Sequence, residues 1–181
     1  MNSGERNMPS LESPIVSTAR GIAGMGQPIG NGKCWALVHR VLHNARAKSA
    51  WDYDFNGENI FTPWGVEVEG PSPGYLIILK NVNWTTSRTE TRGRGTVRSQ
   101  VQVEETHHYS KHVAVILETW PNGDVLVAEQ GAGKDSKNPR TFFIPLSRIK
   151  PSRDIRYYRP EPVAKGQETR SPTAAAKAAI K

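Results

Sequence analysis

Gly30-Asn31-Gly32-Lys33-Cys34-Trp35-Ala36-Leu37-Val38-His39-Arg40-Val41-Leu42-His43-Asn44-Ala45 is the stretch from which the rest of the chain is read. Trp35, Leu37, Val38, Val41, Leu42 and Ala45 recur at helical spacing and predict a helix over residues 34–47 with one buried stripe. Gly30, Asn31 and Gly32 suit a tight entry turn, with Asn31 as a candidate N-cap. Cys34, the single cysteine of the chain, then falls in the first turn of a helix. Unsatisfied N–H groups and the helix dipole favour an anion there, so the position suits a thiolate. The N–H groups around it, on Gly32, Lys33 and Trp35, are candidates for binding substrate or a developing oxyanion. The competing reading is a small buried hydrophobe, the commoner fate of a free cysteine.

Working outward, residues 48–74 read as irregular, anchored by Trp51, Tyr53, Phe55, Phe61 and Trp64. Residues 75–79 form a short apolar run that predicts a buried strand, and residues 85–100, rich in Thr, Arg and Gly, read as a mobile connection or an extended hairpin. Residues 112–117 predict a strand, residues 121–124 (Pro-Asn-Gly-Asp) a turn, and residues 125–129 the returning strand. Two more strands are expected at residues 141–144 and 155–158. Residues 1–25 are expected to be a flexible leader, residues 26–160 one folded domain, and residues 161–181 a disordered basic Ala/Lys/Pro tail. A helix followed by antiparallel strands is an α+β layout, without the alternation that a parallel sheet needs.

Composition narrows the function classes. One cysteine in 181 residues precludes an internal disulfide and a multi-cysteine zinc site. No stretch approaches the roughly 18–20 apolar residues of a membrane span, and the N-terminal residues do not resemble an export signal. The expected location is therefore cytoplasmic as synthesised, with non-classical export if the substrate lies outside. The net charge of +7 is carried largely by Arg88, Arg92, Arg94 and Arg98 in one polar segment and by the lysines and arginine of the tail. That pattern reads as solvated surface, and no nucleic-acid-binding motif accompanies it.

Five histidines compete to partner the thiol. His39 and His43 lie four apart on one helix face but lack the Glu and third ligand of a metal motif, so no metal and no cofactor are expected. His107 and His108 read as loop residues. His112 opens an apolar strand, where a polar side chain needs a reason; it reads either as a structural histidine bonded to backbone or as a candidate general base.

Four short motifs come in one order: Gly-Asn-Gly-Lys-Cys-Trp-Ala-Leu at 30–37, Pro-Gly-Tyr-Leu-Ile at 73–77, His-Val-Ala-Val-Ile at 112–116 and Val-Leu-Val-Ala-Glu-Gln at 125–130. Together they resemble the CHAP family of cysteine, histidine-dependent amidohydrolases and peptidases, relatives of the NlpC/P60 group within the papain-like fold. The branch it resembles most includes uncharacterised bacterial and plant proteins and C-terminal domains of fungal actin-patch scaffolds. The resemblance implies a papain-like α+β fold with the cysteine helix on an antiparallel sheet. It also implies Cys34 as nucleophile, His112 as base and Glu129 as the residue that orients the imidazole, with Gln130 as the fallback orienter. The implied substrate is a peptide or a peptidoglycan-like amide; the alternative is an inactive domain that serves as a protein interaction module. Three positions depart from the pattern: Tyr75 stands where Asp is common, Gly131 where Asn is common, and Lys111 where a second His is expected. A two-residue hairpin at Asn122-Gly123 also sets Glu129 opposite Ile116, on the order of 13 Å from His112 along a strand. The two meet only if the turn is longer or a bulge shifts the register.

Overall fold

The computed structural model describes residues 11–53, 63–92, 99–132, 137–149 and 155–167. In chain order these form α1 (Glu12–Ala23), α2 (Cys34–Asn44), a 3-10 turn at Ala50–Tyr53, β1 (Val66–Val68), β2 (Leu76–Arg92), β3 (Ser99–Thr119), β4 (Val125–Glu129), β5 (Arg140–Ile144), a second 3-10 turn at Leu146–Arg148 and β6 (Ile155–Arg159). The fold is α+β: two helices and a curled antiparallel sheet in the order β1-β6-β2-β3-β4-β5.

The first difference from expectation lies in the leader. Ile15, Ala19 and Ile22 are buried in the core and make α1 a packed helix rather than a flexible segment. These residues recur three to four apart, but Pro14, Gly21 and the interleaved Ser and Thr mask the stripe. Pro14 falls in the first turn, where its missing N–H leaves no intrahelical bond unmade. The start of α1 also explains Gly74 of the Pro-Gly motif. A Cβ on Gly74 would lie 2.7 Å from Glu12 Cα, so only glycine lets the helix come this close.

The folded region also runs past residue 160. Pro160 is buried, Ala47 bridges Pro162, and Val163 N–H donates to the Arg46 carbonyl at 3.0 Å. Glu161 accepts a hydrogen bond from the Tyr53 hydroxyl and pairs with Lys48. Residues 168–181 of the expected tail, and Phe55 and Phe61 among the expected anchors, lie outside the described residues. The helix of the cysteine stops at Asn44, before the predicted end, and Arg46 takes φ 55° just beyond it.

β2 and β3 are far longer than the apolar runs that signalled them, at 17 and 21 residues. Residues 85–92 and 99–106 pair with each other in an extended hairpin, resolving the open choice for this segment; residues 93–98 lie outside the described ones. His107 and His108 are therefore strand residues, not loop residues. The sheet is buried on both faces at its centre. Leu76, Ile78, Val113, Val115 and Ala128 pack against the helices, and Ile77, Leu79, Ala114, Ile116, Val127 and Ile144 form a second cluster on the other face. Strand alternation produces both clusters from one run of residues.

Candidate active site

Cys34 is the first residue of α2 and is half-buried. The N-cap is Lys33, whose side chain makes no capping hydrogen bond, so the N–H groups of the first turn face the site without a side-chain cap. Asn31 serves the turn instead: its Oδ1 accepts from Lys33 N–H at 3.2 Å. Gln130 holds this turn from below. Its fully buried amide accepts from Ile29 N–H at 2.7 Å and donates to the carbonyls of Ile29 and Lys33, each at 2.9 Å. Gln130 is thus placed on the turn before Cys34, not on His112 as the fallback expectation had it. Gly131 comes so close that a Cβ there would lie 2.7 Å from the Gly32 carbonyl and 3.1 Å from Cys34 N. With φ 73° as well, the position excludes the Asn of the family pattern on this backbone.

The register brings His112 and Glu129 within reach of one another. Thr119 pairs with Val125, leaving a five-residue turn, and a bulge between Ile116 and Glu118 shifts the pairing so that Val115 faces Ala128. Both routes by which the expected gap could close are taken. One step further, Glu129 comes level with Ala114, a diagonal neighbour of His112 on the same face. His112 Nε2 and Glu129 Oε2 lie 3.0 Å apart. β4 ends at Glu129, and among the described residues His112 and Val113 pair only with Leu79 and Ile78 of β2. The start of α2 fits into the gap beside them. There Cys34 hydrogen-bonds the His112 side chain, and the N–H groups of Val113 and Trp35 point at the sulfur. With Nε2 committed to the carboxylate, Nδ1 is the nitrogen left for the thiol.

Burial works against the thiolate, but the imidazole and the two N–H groups outweigh it and hold the thiol below its ordinary value. Burial likewise opposes the imidazolium, but Cys34 and Glu129 raise His112 to about 9. Glu129 is held below the usual carboxylate range, against its burial, by His112, Tyr109 and Arg140. A lowered thiol beside a raised imidazole and a lowered carboxylate are the directions that favour a thiolate–imidazolium pair.

Tyr109 and Arg140 were not among the expected site residues. The Tyr109 hydroxyl donates to Glu129 Oε2 at 2.6 Å, and its ring stacks on His112 with centroids 4.4 Å apart. Arg140 Nε and Nη2 both donate to Oε1, at 2.9 and 2.8 Å. Arg140 is visible only through the pairing of Glu129 with Arg140 across β4 and β5. Tyr109, three residues before His112, could have drawn notice as an aromatic beside the candidate base.

The remaining candidates take lesser places. Gly32 is buried under Gly131, and Lys33 is exposed. The Trp35 ring packs on Trp51 at 5.1 Å, so only its backbone reaches the sulfur. His39 packs on Trp51 at 4.9 Å and is pushed down to about 4 by burial and by His43. Among the described residues no group of three or more metal-ligating side chains occurs, and no helix is long and apolar enough to cross a membrane. A groove of about 580 Å³ lies between α1 and residues 159–163, and neither Cys34 nor His112 lines it. No family model, curated protein or solved structure matches the chain.

Proposed function

We propose that the chain is a thiol-dependent amidase or peptidase of papain-like fold. The observation that carries this reading is the hydrogen-bonded line from Cys34, at the start of α2, through His112 to the buried Glu129. Such a line supplies the parts that acyl transfer needs. The Cys34 thiolate attacks the amide carbonyl, and N–H groups of the first helical turn face the oxyanion. The His112 imidazolium gives its proton to the leaving amine. Water then attacks the thioester, His112 takes a proton from it, and the carboxylic acid leaves with the thiol restored. Resemblance to the CHAP family suggests peptidoglycan cross-bridges or the sugar–peptide amide as substrate, and a net charge of +7 suits an anionic wall.

The test is release of new amino groups from purified peptidoglycan and from a defined peptide mixture. Wild type should release them from one of the two, and Cys34→Ala and His112→Ala should each lose activity by on the order of 10⁴-fold or more. No release, together with Cys34 alkylation that rises only near the free-thiol pKa of about 8.5, overturns the reading.

A second reading, an interaction module, is favoured by the outer part of the β2–β3 hairpin. Among the described residues, 85–92 and 99–106 pair only with each other and extend beyond the rest of the sheet. A partner captured equally by wild type and Cys34→Ala would support it.

A further inference from the structure

Four hydrogen-bond donors converge on the Glu129 carboxylate, and only one of them is His112. Oε2 takes His112 Nε2 and the Tyr109 hydroxyl, and Oε1 takes both N–H groups of the Arg140 fork. The carboxylate is fully buried, whereas the Arg140 side chain is 42% exposed and lies over the Phe142 ring at 4.6 Å. Cys34 from α2, Tyr109 and His112 from β3, Glu129 from β4 and Arg140 from β5 are the titratable or charged groups meeting here.

We propose that Arg140 and Tyr109 are positioning residues that fix the Glu129 carboxylate behind His112 and share its charge, so that the imidazolium is held less tightly than a lone buried carboxylate would hold it. The inference rests on the reading of Cys34 and His112 as an ion pair. A bidentate guanidinium fixes both position and plane of a carboxylate, which a single imidazole contact cannot do. Sharing also matters chemically. A general acid must surrender its proton to the leaving amine, and an undivided buried carboxylate opposes that transfer. His112 already stands at about 9 with the charge divided.

The experiment is Cys34 alkylation by iodoacetamide against pH in wild type, Arg140→Gln, Arg140→Lys and Tyr109→Phe. In an ion pair the rate rises twice: first as the thiol ionises beside the imidazolium, then as the imidazolium loses its proton. Arg140→Gln should move the second rise upward by about one pH unit, because Glu129 then acts on the imidazolium alone. Tyr109→Phe keeps the ring stack and should move it the same way by ~0.5 unit. Arg140→Lys keeps the positive charge and should leave the second rise at its wild-type position. A second rise that stays in place or moves down in Arg140→Gln and Tyr109→Phe overturns the proposal, since mere loosening of the site weakens the imidazolium. If Arg140→Gln fails to fold, the isosteric Tyr109→Phe decides alone. A wild-type profile with a single rise near an ordinary thiol value instead overturns the ion pair itself, and the sharing with it.

Discussion

The two halves of the β2–β3 hairpin share one register, interrupted at Asn81 (φ 51°), and have opposite surroundings. Residues 76–79 and 112–117 are buried, with β6 on one side and β4 joining from residue 115 on the other. Residues 85–91 and 99–106 are mostly exposed, and among the described strands this part of the hairpin pairs only with itself. Backbone pairing and exposed cross-strand hydrogen bonds, such as Gln102 Nε2 to Thr89 Oγ1 at 2.8 Å, carry the outer half, while apolar burial on two faces carries the inner half. His112 stands at the outer end of the buried half, next to exposed Lys111. Under the proposed function, a group that exchanges protons needs dry surroundings to shift its affinity and an edge through which substrate can come. That boundary offers both.

The comparison can be broken most forcefully in the inner half. Ile116→Ala should destabilise by about 2–5 kcal/mol in urea unfolding, because a fully buried side chain leaves a cavity between packed strands. A loss below about 0.5 kcal/mol would mean that the inner half is no more packed than the outer.

Acid should weaken the inner half through the helix that covers it. His39 on α2 is pushed down to about 4, so between pH 6.5 and 4 the unfolded chain binds a proton that the folded chain does not. Stability is then full above the unfolded value near 6.5 and falls as pH drops toward 4. The fall should be on the order of 1–2 kcal/mol, below the full shift because His39 keeps part of its surface in water. His39→Asn should flatten this slope in urea midpoints taken from pH 7 to 4; an unchanged slope would remove His39 as its cause.

The smallest effect belongs to the outer half. Thr89→Ala, on the exposed strand, should change stability by less than about 0.5 kcal/mol. A loss above about 1 kcal/mol would show that the exposed hydrogen bond from Gln102 to Thr89 counts for as much as a buried contact.

Much of the site was legible in the chain. Cys34 followed from a 3.6-residue stripe after a glycine turn, and His112 stood out as a polar residue opening an apolar run, though the choice among five histidines came with the family resemblance. These are local signals, and local periodicity reports burial directly. The outer hairpin was legible only as one of two choices, because the Thr- and Arg-rich arm at 85–92 shows no alternation and the Gln-Val-Gln-Val-Glu alternation at 100–104 covers only a few residues. α1 was missed because its stripe is thin and interrupted by Pro14 and Gly21.

By itself the sequence determined the α+β class, the helix that starts at the cysteine, the core strands and the identity of the thiol and imidazole candidates. Only the tertiary structure decided that Glu129 reaches His112, since one bulge at residue 117 and a five-residue turn set the register. It alone brought Tyr109 and Arg140 onto the carboxylate and put Gln130 under the helix start. The physical reason is the period of a strand. One residue of slip turns every side chain to the other face, and a bulge changes register without leaving a mark in composition.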